Sequence, residues 1–262
     1  MDLQLKDKVI VVTGGAKGIG RAIVLALAAE GAVPVIVGRN KEDNLGVLEE
    51  VRMLGAEGFQ VVAELTRPEE CKNAVQIVLE QFGFIHGLIN NAGVNDGVGL
   101  ESGDYHQFLA SLHRNLVHYY LMVHYALPAL KKSGGAIVNI TSKTAETGQG
   151  NTSGYAAANG GRNALTREWA VELLKYNIRV NAIVVAECRT PLYDKWLATL
   201  PDPNAKLASI QSRIPFGNRM TKAPEIADAA LFLLSERSGH TTGQLLHVDG
   251  GYVHLDRALE GN

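Results

Sequence analysis

Thr13-Gly14-Gly15-Ala16-Lys17-Gly18-Ile19-Gly20 follows the apolar run Val9-Ile10-Val11-Val12 and opens a helical pattern. Glycines in such a turn let the chain reverse sharply and let a pyrophosphate approach the backbone. The helix that follows offers free N–H groups and the positive end of its dipole. A glycine-rich string by itself is a weak signal in a chain with 28 glycines. Lying between a strand and a helix near the N-terminus, this one has the context a dinucleotide site requires.

Outward from that turn, short β-rich runs alternate with longer helical stretches. The runs lie at 9–13, 33–37, 59–63, 88–90, 136–140, 179–184 and 245–248, and helical patterns at 19–30, 68–82, 105–130, 155–175 and 224–234. Several runs are almost wholly apolar, as strands covered on both faces must be. The alternation predicts an α/β fold: a three-layer, Rossmann-type, doubly wound parallel sheet of about seven strands, in one domain spanning 1–262. Right-handed crossovers would bring all strand C-termini to one edge, where ligands bind. Residues 190–218 break the rhythm with Pro191, Pro201, Pro203 and Pro215 and read as a flexible helical flap over that edge.

The 262 residues are 46% hydrophobic and 20% charged, with a net charge of −2. This is ordinary globular composition, and nothing in it favours nucleic acid or an anionic membrane. No run has the length of a membrane span, and the N-terminus has no secretory apolar core, so a cytoplasmic protein is expected. Cys71 and Cys188 lack metal-ligand spacing and read as two reduced thiols; no metal is expected.

The second strand ends Val37-Gly38-Arg39. An NAD site would place a carboxylate there for the ribose 2′-hydroxyl, but Gly38 holds the place. Arg39 and Lys17 supply two cations instead, which suits a 2′-phosphate. NADP is therefore expected, with NAD the alternative.

The chain also carries Asn90-Asn91-Ala92-Gly93 after the fourth run, Asn115 in the next helix, Ser142 after the fifth run and Tyr155 opening another helix. With the 13–20 turn, this ordered set resembles the short-chain dehydrogenase/reductase family over the whole chain. The resemblance implies a catalytic set of Asn115, Ser142, Tyr155 and the residue at 159, with Asn115 holding a relay water. It also implies that Asn90 supports the sheet. Cofactor contacts would come from Thr13, Gly14, Lys17, Gly18, Ile19, Gly20, Arg39, Glu64, Leu65, Asn91, Ala92, Gly93, Tyr155, Asn159, Cys188 and Thr190. The chemistry suits the residue types. Alcohol oxidation requires removal of the hydroxyl proton, which a tyrosinate can do while a serine hydroxyl stabilises the alkoxide.

Two positions depart from the family pattern. The Tyr-x-x-x-Lys motif reads Tyr155-Ala156-Ala157-Ala158-Asn159. The i, i+4 spacing puts both side chains on one helix face. Asn159 can hydrogen-bond a ribose hydroxyl but brings no charge, and a tyrosine without a cation beside it is only about a thousandth ionised at pH 7. Low activity that rises steeply with pH is the expectation. Three readings stay open: a selected or engineered variant of an active parent, a natural weak enzyme, or a cofactor-binding protein. Arg162 and Lys143 are the candidates to supply the missing charge. The second departure is Val185-Ala186 where the family has Pro-Gly, which implies a less rigid nicotinamide loop.

Longer strings, among them 91–97, 114–120, 148–155, 186–193 and 248–257, are similar to the L-fucose dehydrogenase branch of that family. This implies oxidation of a free aldose at its anomeric carbon to a lactone. The expected substrate residues are Asn95, Ser142, Lys143, Gln149, Tyr155, Glu187 and Trp196. Glu146 and Asn151 add to a polar lining that suits a polyhydroxylated ligand better than a lipid. Trp196 would stack on a sugar or pack the flap. The alternatives are a short-chain reductase for another ketone or alcohol and a non-catalytic NADP(H)-binding protein. Apolar excess on the helical patterns at 105–130 and 155–175 resembles the family habit of forming tetramers. His254 and Asp256 would reach a neighbouring subunit.

Overall fold

The strongest β-formers in the chain set the sheet. The computed structural model describes residues 2–255; Asp256 lies outside them. Seven strands pair in the order β3-β2-β1-β4-β5-β6-β7, and every pairing is parallel. They are β1 (Val9–Thr13), β2 (Val33–Gly38), β3 (Phe59–Val62), β4 (Gly87–Asn90), β5 (Ala136–Ser142), β6 (Arg179–Val185) and β7 (Leu245–Val248). Successive β1 side chains point to opposite faces, as a two-residue period dictates. Ile10 and Val12 pack with Ile23, Leu27 and Leu231 on one face, while Val9 and Val11 pack with Val75, Val78 and Met122 on the other. Two apolar cores thus sandwich one sheet, and the doubly wound architecture is as expected.

The helices are α1 (Gly18–Ala29), α2 (Lys41–Met53), α3 (Pro68–Phe82), α4 (Tyr105–Leu112), α5 (His118–Ser133), α6 (Ser153–Glu172), α7 (Pro191–Leu197), α8 (Pro203–Gln211) and α9 (Ala223–Leu234). The stretch expected as one helix from 105 is interrupted by a π-helical turn, His113–Val117, which carries Asn115. Such turns release a backbone carbonyl from the helical ladder and recur at functional sites. β5 runs to Ser142 and β6 to Val185, so both reach further toward the functional edge than the apolar runs indicated. In the 190–218 segment Pro191 and Pro203 each occupy a first helical turn, where a missing N–H costs nothing. No helix among the described residues is long and apolar enough to cross a membrane.

The strand order reverses between β1 and β4. A crevice opens at such a switch point, above the strand C-termini.

Candidate functional site

Thr13, at the end of β1, stitches the crevice together. Its hydroxyl accepts from the backbone N–H of Asn91 (2.9 Å) and Ala92 (3.1 Å). The Asn91 amide donates back to the carbonyls of Thr13 (2.9 Å) and Gly14 (3.2 Å). The glycine turn and the Asn91–Gly93 turn are therefore one rigid unit. Gly14 (φ 64°) and Gly18 (φ 53°) occupy left-handed conformations that suit glycine. A methyl group at Gly20 would collide with the Gly14 carbonyl and stand 2.6 Å from the Asn91 amide nitrogen. Lys17 at the N-cap of α1 supplies no side-chain cap, and no acid occupies the first turn. The first N–H groups of α1 thus face the crevice without a side-chain partner, as an anion site requires. The turn of Gly14, Gly18, Ile19 and Gly20 at the N-terminus of α1, with the 91–93 turn against it, fits a dinucleotide and could hold its pyrophosphate. Gly20→Ala should displace the turn and lower nicotinamide cofactor affinity at least tenfold in a fluorescence titration. Unchanged affinity would show that the turn does not hold it.

The charges expected to meet a 2′-phosphate are less free than the sequence implied. Lys17 is ion-paired with Asp43, and Arg39 lies 3.7 Å from Glu64. Glu64, expected among the cofactor contacts, also accepts from the Thr66 backbone N–H (3.2 Å) and hydroxyl (3.0 Å). Leu65 is buried, and its carbonyl accepts the Cys71 thiol at 3.3 Å. On the other side, Thr190 caps α7, accepting from the Tyr193 N–H at 3.3 Å, and its methyl packs over Gly18. Cys188 forms an isolated parallel bridge with Thr221, and the Thr221 N–H donates to the Glu187 carbonyl (2.9 Å). These bonds tie the loop after Val185 to the segment at Thr221. Burial pushes the Cys188 thiol up to about 12, which makes it an apolar wall rather than a nucleophile.

Ser142 ends β5, and its hydroxyl accepts the Thr144 N–H at 3.3 Å. Tyr155 sits half-buried in the first turn of α6, the helix that packs over β5 and the short turn after it. A buried polar ladder aligns that helix. Asn90 donates to Asn139 (3.0 Å), Asn139 to Thr166 (2.9 Å), and Thr166 to the Arg162 carbonyl (2.8 Å).

Asn159 is held within its own helix. Its side chain has no exposed surface. Its amide donates to the Tyr155 carbonyl (2.8 Å), and its Oδ1 accepts from Arg162 Nη1 (3.0 Å). Arg162 is 3% exposed and lies seven residues after Tyr155, about two full turns, on the same face of α6. Its Nε donates to the Asn115 carbonyl, and Nη1 also donates to the Ile140 carbonyl (3.2 Å). Its guanidinium lies over the Tyr119 ring, 4.1 Å from the centroid. Nη2 is buried without a hydrogen-bond partner and faces the Gly93 turn, where an added methyl would meet it at 2.8 Å. No carboxylate pairs with Arg162 among the described residues. Its charge acts on its surroundings: burial first, then Arg162, pushes His118 down to about 3, which keeps that imidazole neutral. Asn115 itself accepts the Val94 N–H at 2.8 Å, so its carbonyl and its side chain both serve the chain's own groups.

Lys143, the other candidate cation, is committed. Its ammonium is paired with Glu187 and lies 4.1 Å from the Tyr252 ring centroid. Tyr193 donates to the same carboxylate at 2.9 Å, and burial, then the Glu187 charge, raises its phenol above the ordinary range. Lys143, Glu187, Tyr193 and Tyr252 form a polar wall next to Ser142. Tyr193 and Tyr252 were missed in the sequence, where a lone tyrosine carries no signal of what it meets. Trp196 packs edge-to-face on Tyr193 (centroids 5.1 Å apart) but remains 42% exposed. Asn95 accepts the Gly97 N–H at 3.3 Å and shapes its own turn, while Gln149 and Asn151 are exposed. Glu146 turns away from this wall to meet His247 at 3.0 Å.

Comparison with known proteins reaches the same elements. The family model described as enoyl-(acyl carrier protein) reductase matches residues 14–253. The 3-oxoacyl-[acyl-carrier-protein] reductase FabG of Thermotoga maritima is 35% identical over 253 residues, covering 96% of this chain and all of that protein. The L-fucose dehydrogenase of Bos taurus is 34% identical over 252 residues, 96% of this chain and 91% of that one. Among solved structures, the Cj0485 dehydrogenase superposes with a TM-score of 0.95 at 46% identity, with both chains fully covered.

Proposed function

The chain belongs to the short-chain dehydrogenase/reductase family and is an oxidoreductase of that family, and from that premise we propose that it oxidises the anomeric carbon of a free, L-fucose-like aldose to a lactone. One observation carries the substrate class: the wall beside Ser142 is an ion pair flanked by two phenols, Lys143–Glu187 with Tyr193 and Tyr252. Such a wall offers donors and acceptors to several hydroxyls and is hostile to an acyl chain. The likeness to L-fucose dehydrogenases supports the same reading.

Family members bind NAD(P), and a bound nicotinamide supplies the hydride acceptor. The chain's residues do the rest. The Tyr155 phenol oxygen takes the anomeric hydroxyl proton. Ser142 donates a hydrogen bond to the oxygen that becomes the lactone carbonyl. Arg162, hydrogen-bonded to Asn159, whose amide donates to the Tyr155 backbone carbonyl, supplies a buried positive charge on this face of α6. The family's enzymes weigh against the non-catalytic alternative.

A panel of aldoses tests the substrate. Cofactor reduction with L-fucose or D-arabinose is expected. Inert aldoses beside an active simple ketone or alcohol would instead support a reductase like FabG. For the cofactor we propose NADP, bound at Arg39 and Lys17. Each is an exposed cation that must leave a half-buried carboxylate partner, and pairs at the surface are worth only about 0–1 kcal/mol. The preference should therefore be modest, roughly tenfold in kcat/KM. A higher kcat/KM with NAD would reverse the assignment. We also propose a tetramer built on α5 and α6; light scattering giving a single chain's mass would refute it.

A further inference from the structure

Behind the proposed site lies a cleft of about 630 Å³, lined by Glu146, Asn163, Arg167, Gln244, His247 and His254 among others. Its α6 residues Gly160, Asn163, Ala164 and Arg167 stand roughly 80–180° round the helix from Tyr155, at 100° per residue. The cleft is therefore turned away from the face of α6 that carries the phenol. Three side chains from three separate segments converge there. Glu146 comes from the turn after β5, His247 from β7, and His254 from the segment after that strand. One ligand atom from each lies within 4.8 Å of the others. The Glu146 carboxylate is 3.0 Å from His247 Nε2, and the two imidazole rings stand edge to face with centroids 4.3 Å apart.

We propose that Glu146, His247 and His254 form a binding site for a late first-row divalent cation of the zinc class. Two imidazoles and one carboxylate suit zinc by donor type, and the fourth position opens to the cleft for water. Ligand atoms about 3.4 Å apart satisfy tetrahedral zinc at its usual bond lengths of about 2.0–2.1 Å. The present triangle needs only small side-chain shifts to reach that. Asn163 supplies the outer support such sites need. It is nine-tenths buried, its amide donates to the other Glu146 oxygen at 3.4 Å, and its own Oδ1 has no partner. Magnesium and calcium, which demand oxygen-rich shells, are a poor match. Among the described residues the one lysine or arginine lining the cleft, Arg167, is exposed and can swing to solvent.

The site touches neither Ser142 nor Tyr155, so its role is to clamp. It ties the loop after Ser142 to β7 and to the chain that follows Asp249. Both flank the wall formed by Lys143 and Tyr252. Binding should therefore stiffen the substrate loop without entering the reaction.

The test uses the full chain without an affinity tag, stripped with chelator and titrated calorimetrically with zinc sulfate and, separately, magnesium sulfate. One zinc per chain is expected, with a raised unfolding temperature and no saturable magnesium binding. His247→Ala and His254→Ala should each weaken zinc at least roughly 100-fold, and Glu146→Gln at least tenfold, while all three variants fold as judged by circular dichroism. No saturable zinc binding would overturn the proposal. So would zinc binding that survives both histidine substitutions, which would place the metal on other surface histidines.

Discussion

Tyr155→Phe is expected to lower kcat with the aldose substrate by about 10²–10⁴-fold, the usual range for loss of a positioned acid or base. The substitution removes one oxygen and keeps the ring that packs at the start of α6. Cofactor affinity should stay within about twofold, because the pyrophosphate cradle at 14–20 and the stitched 91–93 turn do not depend on the phenol. Two measurements check this: steady-state turnover, and titration of reduced cofactor by fluorescence. A variant that turns over as fast as the parent would remove Tyr155 from the chemistry.

The second large effect is expected at Arg162. Arg162→Met leaves the Asn115 carbonyl and Asn159 Oδ1 without their donor, whereas the Ile140 carbonyl keeps the Tyr119 hydroxyl at 2.9 Å. An orphaned buried acceptor costs about 1–3 kcal/mol. Relief of an unpaired buried cation offsets part of that. A net loss of about 2–4 kcal/mol follows, or a Tm lower by roughly 5–10 °C in a chain of this size. A purely structural role would stop there. A role in the site adds a fall in kcat beyond the loss of folded protein, measured on folded Arg162→Met below its Tm, and Arg162→Lys should restore kcat more than it restores the Tm. An unchanged kcat in folded Arg162→Met would assign the residue to folding alone.

The same geometry reverses a simpler expectation. Read from the motif, Asn159→Lys ought to repair the enzyme. In the folded chain it would set a second cation where Asn159 Oδ1 now receives Arg162 Nη1 at 3.0 Å. Two buried like charges repel and lack water to screen them. The single Asn159→Lys variant should therefore lose stability, read as a lower Tm, and lose activity with it. An Asn159→Lys variant as stable as the parent and more active would show that the Arg162 charge does not reach position 159.

Several elements were legible because their physics is local. The β1 run, the glycine turn and α1 are consecutive, and steric rules on glycine and buried strands operate over a few residues. β1, α3 and β7 have the bounds read from the pattern. The π-helical turn at His113–Val117 was invisible, because a helical pattern does not show a single slipped hydrogen bond. The helices of the 190–218 segment were expected, and two of the four prolines that marked it, Pro191 and Pro203, begin them.

By itself the sequence determined the sheet, the cradle and the order in which Asn115, Ser142 and Tyr155 follow their strands, since periodicity and chain order carry those. Only the tertiary structure decided which charges are available. Lys17 meets Asp43, Arg39 meets Glu64, and Lys143 meets Glu187; Arg162 remains buried without an acid, and Glu146 finds two histidines a hundred residues away. The reason is physical: Coulomb energy and desolvation depend on distance and burial in space, and residues far apart in the chain acquire both only when it folds.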